Sequence, residues 1–238
     1  MAYHGALPQG RPLILAIENS GLYGSIALVT SEGCLAEHTL TSKKSHSKRL
    51  LASIDTLLSD TSISINEVDA LAVSLGPGSF TGLRIGLATA KGLCMAAEKP
   101  LIGIATLDAL AVQLAFQPRQ ICAVLDARKG EVFAACYQNT DQGFHKTMAA
   151  LNLSPELLTA SITESTIFVG DGVSLLNLRA EGGTADPLFS IAPPALFFPR
   201  ASAVGHLAVG SFAAGRFIDV LTTAPIYLRA SDAEIQRK

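Results

Sequence analysis

Gly76-Pro77-Gly78-Ser79-Phe80-Thr81-Gly82-Leu83-Arg84-Ile85-Gly86-Leu87-Ala88-Thr89-Ala90-Lys91-Gly92-Leu93 is the most distinctive stretch of this chain. It follows the apolar run Ala70–Leu75, which reads as a strand that Gly76-Pro77-Gly78 breaks. Ser79 or Thr81 then opens a long helix to about Ala97, and Pro100 enforces its end. A glycine loop between strand and helix can hold an anion, because free backbone N–H groups point outward there. The familiar phosphate motifs do not fit. A Walker A loop needs Gly-x4-Gly-Lys-Ser/Thr, and neither Gly76 nor Gly78 starts one. A dinucleotide fingerprint needs glycine where Thr81 stands. A nucleophile elbow needs glycines where Pro77 and Thr81 flank Ser79.

Gly82, Gly86, Ala90 and Cys94 recur every four residues and so line one helix face. Each helical glycine costs about 1 kcal/mol relative to alanine, so close packing must offset it. That packing is either against the protein's own sheet or against a helix of another chain. On the second reading, the partner or dimer interface comprises Gly76, Pro77, Gly78, Ser79, Phe80, Thr81, Gly82, Arg84, Gly86 and Ala90. Gly86→Arg is then expected to block docking and leave the monomer folded.

The flanking sequence is α/β. Residues 1–12 form a loose lead with Pro8, Gly10 and Pro12. Leu13–Ile17 is a continuous apolar run, as in a strand buried on both faces. Ser25–Val29 and Cys34–Leu40 follow as strands across turn residues. Leu50, Leu51, Ile54, Leu57 and Leu58 have helical spacing. With Ala70–Leu75, the glycine-loop helix and Leu101–Ile104, the predicted order is βββαβαβ, an N-terminal lobe over 13–105. Residues 106–238 read as a C-terminal lobe. It holds a helix from Thr106 to Phe116, strands Ile121–Leu125 and Glu131–Tyr137, a Ser154-capped helix and a strand Thr166–Val169. A helix after Gly172, a connector over 182–200, a late helix Ala201–Arg216 and a polar tail complete it.

Composition narrows the function. The 238 residues are 49% hydrophobic and only 16% charged, with net charge −2. Such a chain can bury a core and lacks the cationic footprint of a nucleic-acid-coating protein. No apolar stretch reaches the ~20 residues of a membrane span, and the N-terminal run is too short for a signal peptide. Cys34, Cys94, Cys122 and Cys136 form no CxxC pair, so a cytoplasmic protein with reduced thiols is expected. The only basic cluster is Lys43, Lys44, Lys48 and Arg49 around His46; it is either a solvated face or a contact with nucleic-acid phosphates.

The segment 76–93 closely resembles the signature of the TsaB (YeaZ) family. Leu15-Ala16-Ile17-Glu18-Asn19-Ser20, Leu125-Asp126-Ala127-Arg128-Lys129-Gly130-Glu131-Val132-Phe133, Val169-Gly170-Asp171-Gly172 and Tyr227-Leu228-Arg229 also match it. The resemblance implies an actin/Hsp70/sugar-kinase-like (ribonuclease-H-like) fold of two related lobes. It implies a non-catalytic partner of TsaD, joined by the ATPase TsaE, in threonylcarbamoylation of adenosine 37 of tRNAs reading ANN codons. ATP and metal are then expected in the partner subunits, and none is required by this chain. A homodimer through the same small-residue helix face is the expectation when TsaD is absent.

Glu18 and Ser20 stand where nucleotide-hydrolysing members of the fold place a phosphate loop, with Glu18 replacing the usual Asp. Asp126 and Arg128 resemble the second phosphate loop, and Gly170, Asp171 and Gly172 an adenosine-loop remnant. The plainer readings are an exposed strand-end acid, a hairpin with surface charges, and a turn in which Asp171 caps a helix. Two other functions remain open: an ATPase or phosphotransferase of the same fold, and a metallopeptidase. The latter lacks the His-x-x-x-His metal pair, since none of His4, His38, His46, His145 and His206 lies four residues from another.

Overall fold

A computed structural model describes residues 11–41, 46–141, 143–178 and 187–229. The chain divides into two units, Met1–Thr106 with Arg200–Ile226, and Leu107–Pro199 with Tyr227–Lys238.

In the first unit, β1 (Ile14–Glu18), β2 (Tyr23–Thr30) and β3 (Gly33–Thr41) form an antiparallel meander. Helix α1 (His46–Thr61) leads to β4 (Ala70–Gly76), α2 (Phe80–Ala97) and β5 (Leu101–Ala105). β4 pairs parallel with β1 and with β5, so the sheet order is β3-β2-β1-β4-β5. β1 is buried at every position, as its unbroken apolar run requires. Leu50, Ile54 and Leu57 of α1 and Leu87, Ala90 and Cys94 of α2 pack into one core with Leu15, Ile17, Ile26 and Leu71. Each large apolar side chain removed from water contributes roughly 1.5–3 kcal/mol.

In the second unit, α3 (Thr106–Val112) precedes the meander β6 (Gln120–Arg128), β7 (Glu131–Thr140) and β8 (Gly143–Leu153). Then come α4 (Pro155–Ser161), β9 (Thr166–Val169) and β10 (Phe189–Ile191). β9 runs parallel to β6 and to β10, giving the order β10-β9-β6-β7-β8. Read from its meander edge, this sheet has the connectivity of the first. That repetition is the two-lobed actin/Hsp70/sugar-kinase-like plan. Leu107, Leu110 and Leu114 cover one face of the sheet, and Leu158 and Phe168 lie in the core on the other.

The structure departs from the sequence reading in several places. The late helix α5 (Ala201–Ala213), expected in the C-terminal lobe, packs on β1 and β2 of the first sheet. A Cβ on its Gly205 would lie 2.5 Å from a Val29 methyl and 3.3 Å from the Ala16 Cβ, so only glycine permits the approach. It ends before the expected Arg216, because Gly215 takes φ +64° and the Arg216 N–H bonds back to the Ser211 carbonyl. α3 stops at Val112 and continues as tight turns to Gln117. β8 and β10 were not expected at all. In place of the helix expected after Gly172 there is a 3₁₀ turn that already contains it, Asp171–Leu175. Among the described residues no helix is long and apolar enough to cross a membrane.

Candidate functional site

The turn after β1 is the first candidate. Glu18 is fully buried, which corrects the expectation of an exposed turn acid. One oxygen of its carboxyl accepts the Ser20 backbone N–H at 2.6 Å and the Ser20 hydroxyl at 2.5 Å. The other accepts the hydroxyl of Ser74 on β4. Burial pushes the Glu18 carboxyl above the ordinary glutamate range, and the hydrogen bonds from Ser20 and Ser74 offset part of that. The carboxyl is therefore a structural clasp between two neighbouring strands.

The glycine loop closes on this turn. The Ser79 N–H donates to the Ser20 carbonyl at 2.6 Å. Gly78 has φ +155°, and a Cβ there would lie 2.5 Å from the same carbonyl oxygen. Gly76 has φ +119°, and its Cβ would meet the Ile226 carbonyl oxygen at 2.5 Å. The Ile226 N–H in turn bonds to the Leu75 carbonyl. Ser79 caps α2 by accepting the Gly82 N–H at 3.3 Å. The donors of Ser20, Ser79 and Gly82, which an anion cradle would present, are thus engaged within the chain.

Helix α2 has two contrasting faces. Gly82, Leu83, Gly86, Leu87, Ala90 and Cys94 are buried. A Cβ on Gly86 would lie 3.2 Å from the Asn19 Cβ and within 4 Å of Val73 and Ile17. The regular small-residue stripe therefore serves the protein's own sheet. Gly82, Gly86 and Ala90 are not available to a partner, and neither are the buried Gly76 and Pro77. The opposite face exposes Thr81, Arg84, Ala88, Gly92, Met95 and Ala96. Arg84 lies 3.8 Å over the Phe80 ring. Nothing lies within 4 Å of a Cβ built on Gly92. Met95 is 62% exposed, and Leu51, on the neighbouring α1, is 52% exposed. Of the basic cluster, Lys43, Lys44 and the side chains of His46 and Lys48 lie outside the described residues; Arg49 is exposed.

In the second unit, Asp126, Arg128, Gly170, Asp171 and Gly172 come together. Arg128, Lys129 and Gly130 all have positive φ and turn the β6–β7 hairpin. The Asp126 carboxylate accepts the Arg128 N–H at 2.7 Å and pairs with its guanidinium at 3.0 Å. Asp171 accepts the Asp126 N–H at 3.0 Å. It does not cap the turn that follows, whose first position is Gly170 with no side-chain cap. Burial raises the Asp171 carboxyl, and the Asp126 charge adds to this against the hydrogen bond it accepts. A Cβ on Gly170 would lie 2.0 Å from the Val124 carbonyl oxygen, and one on Gly172 2.7 Å from the Leu125 carbonyl carbon. Arg229 donates to the Ala127 carbonyl at 3.0 Å and faces Glu131 at 3.7 Å. These residues stitch β6 to the 3₁₀ turn and to the chain's last described segment. Sequence reasoning missed Ser74, for which a lone serine inside the apolar run Ala70–Leu75 was the available signal, and took Asn19 only as part of the segment Leu15–Ser20.

The family described as "TsaD: tRNA N6-adenosine threonylcarbamoyltransferase" matches residues 33–237. The tRNA threonylcarbamoyladenosine biosynthesis protein TsaB of Escherichia coli is 32% identical over 91% of this chain and 94% of its own. The protein of the same name from Bacillus subtilis is 30% identical over 93% and 96%. The solved structure of YeaZ from Pseudomonas aeruginosa has a TM-score of 0.78 and 26% identity, covering 91% of this chain and all of that one. On its glycine-loop signature, its duplicated sheets and these full-length similarities, the chain belongs to the TsaB (YeaZ) family.

Proposed function

We propose that this chain is a non-catalytic partner subunit of a TsaD-type enzyme, acting with the ATPase TsaE in threonylcarbamoylation of adenosine 37 of tRNAs that read ANN codons. The observation that carries the reading is the closed phosphate-loop region: Glu18 and the loop 76–82 use Ser20, Ser79 and Gly82 internally. ATP and metal then act on the partner subunits. The docking surface is the outer face of α2, from Thr81 and Arg84 through Ala88 and Gly92 to Met95, and takes in exposed Leu51 of the neighbouring α1. Small side chains at Ala88 and Gly92 let another helix approach closely, and Met95 and Leu51 supply apolar area. A second copy of the chain occupies the same face when TsaD is absent. Activation of TsaD requires that this contact be stronger in its competent state than in its idle state.

Gel filtration with light scattering, on the chain alone and mixed with TsaD from the same organism, tests this. A stoichiometric complex, and tRNA modification that depends on both subunits, are expected. Absence of a complex with and without ATP and TsaE overturns the reading.

A further inference from the structure

On the second sheet, Cys122 of β6 and Cys136 of β7 stand directly opposite one another in the antiparallel register. Opposed residues project to the same face, and both thiols lie in an apolar cluster with Val124, Val132, Ala134 and Phe168. They are 0% and 2% exposed. The pairing of β7 with β8 is irregular on both sides of Cys136, between Ala134 and Cys136 and again between Cys136 and Tyr137. The remaining cysteines, exposed Cys34 and buried Cys94, both belong to the first unit.

We infer that Cys122 and Cys136 form a reversible intramolecular disulfide across β6 and β7 when the protein meets a small oxidant of the hydroperoxide class. Directly opposed residues of antiparallel strands have Cβ atoms about 4.5–5.5 Å apart, and a disulfide needs about 3.5–4.5 Å. Closure therefore draws the strands together slightly, so a dithiol reopens the bond readily. In the first step one thiol releases its proton and its thiolate attacks a peroxide oxygen; the O–O bond breaks and the leaving hydroxide takes up that proton, giving a sulfenic acid and water. In the second the other thiol releases its proton and its thiolate attacks the sulfenic sulfur; the S–O bond breaks, and the hydroxide that leaves takes up the proton as a second water. Two thiols and one hydrogen peroxide thus become one disulfide and two waters, with two electrons passing from sulfur to oxygen. Burial holds the Cys122 thiol well above its ordinary range, so the reaction is slow at neutral pH and speeds up as pH rises. The irregular pairing around Cys136 marks where this sheet opens most easily to the oxidant.

The experiment treats the full chain, carrying Cys34→Ser to prevent cross-linking between molecules, with hydrogen peroxide in native buffer. The protein is then unfolded, alkylated, and analysed by intact mass and peptide mapping. The expected product has lost two hydrogens, carries one alkyl group on Cys94, links the Cys122 and Cys136 peptides, and returns to three alkyl groups after dithiothreitol. Cys136→Ala in the same background is expected to abolish the cross-link. Three alkylatable thiols after treatment, a sulfinic acid in place of the cross-link, or a cross-link that forms only when denaturant is present during oxidation would overturn the inference.

Discussion

The Asn19 side-chain amide donates to the Gly82 carbonyl at 2.8 Å, and a Cβ on Gly82 would lie 2.2 Å from the Asn19 carbonyl oxygen. The turn after β1 and the first turn of α2 are thus held at a separation that only glycine allows. Gly82→Ala is expected to destabilise the chain by about 1–3 kcal/mol, toward the upper end because the obstacle is backbone. Gly92→Ala, on the open face of the same helix, is expected to stabilise it by up to about 1 kcal/mol. Urea unfolding of the two variants alone measures both, and equal midpoints would refute the two-faced description of α2.

The same contrast bears on association. Ala88→Arg places a long side chain on the outer face and is expected to abolish complex formation with TsaD while leaving the unfolding midpoint unchanged. Gly86→Arg, which the sequence alone suggested would spare the monomer, is instead expected to prevent folding, because Asn19, Val73 and Ile17 surround the site. Sedimentation of a folded Ala88→Arg chain with TsaD decides the matter; normal association sinks the assignment of this face.

The pH dependence follows from Glu18. Its folded-state carboxyl is raised above the ordinary value of 4.5 by burial, so the folded chain holds a proton that the unfolded chain releases. The stability linked to that proton is fully present below 4.5 and is lost as pH rises through the folded-state value. Glu18→Gln keeps the hydrogen-bonding shape without the charge. Its stability is expected to fall less than that of the parent between about pH 4.5 and pH 8, as read by urea unfolding across that range. Parallel curves for the two proteins would show that Glu18 does not carry the linkage.

How far the sequence reads to this point depends on range. The first seven elements were legible because β1 follows an unbroken apolar run, β4 is apolar but for Ser74, and α1 and α2 carry helical spacing between clear turn residues. β8 was not, since its exposed edge position leaves Gly143–Leu153 without clean alternation, and its pairing with β7 is irregular. α5 is apolar nearly all round, which announces burial without saying against which sheet. At the site, the small-residue stripe was legible as a close-packed face, but its partner was not. The clasp at Glu18 was hidden for the same reason: Ser74 lies 56 residues away.

A second long-range clasp gives a fourth prediction. The Tyr137 hydroxyl on β7 donates to the Asp108 carboxylate on α3 at 2.7 Å, and Lys146 on β8 pairs with the same oxygen at 2.7 Å. Tyr137→Phe is expected to cost about 1.5–3 kcal/mol, the range for a hydrogen bond to a charged group. Burial, with the Asp108 charge adding to it, pushes the phenol far above its ordinary range. That loss should therefore be the same at about pH 6 and pH 9 in thermal unfolding. A loss that shrinks at the higher pH would mean the phenol ionises in the folded chain.

The placement of α5 has a consequence for synthesis. The strands of the first sheet leave the ribosome early, yet the helix that covers the β1–β2 face spans Ala201–Ala213, near the far end of the chain. Until those residues emerge, that apolar face has no cover of its own. The growing polypeptide therefore cannot complete its first half before most of its second half has been made. Translation pauses after residue 106 would prolong the exposed interval and favour capture by chaperones. Circular rearrangement of the gene that brings α5 next to β1 would shorten it.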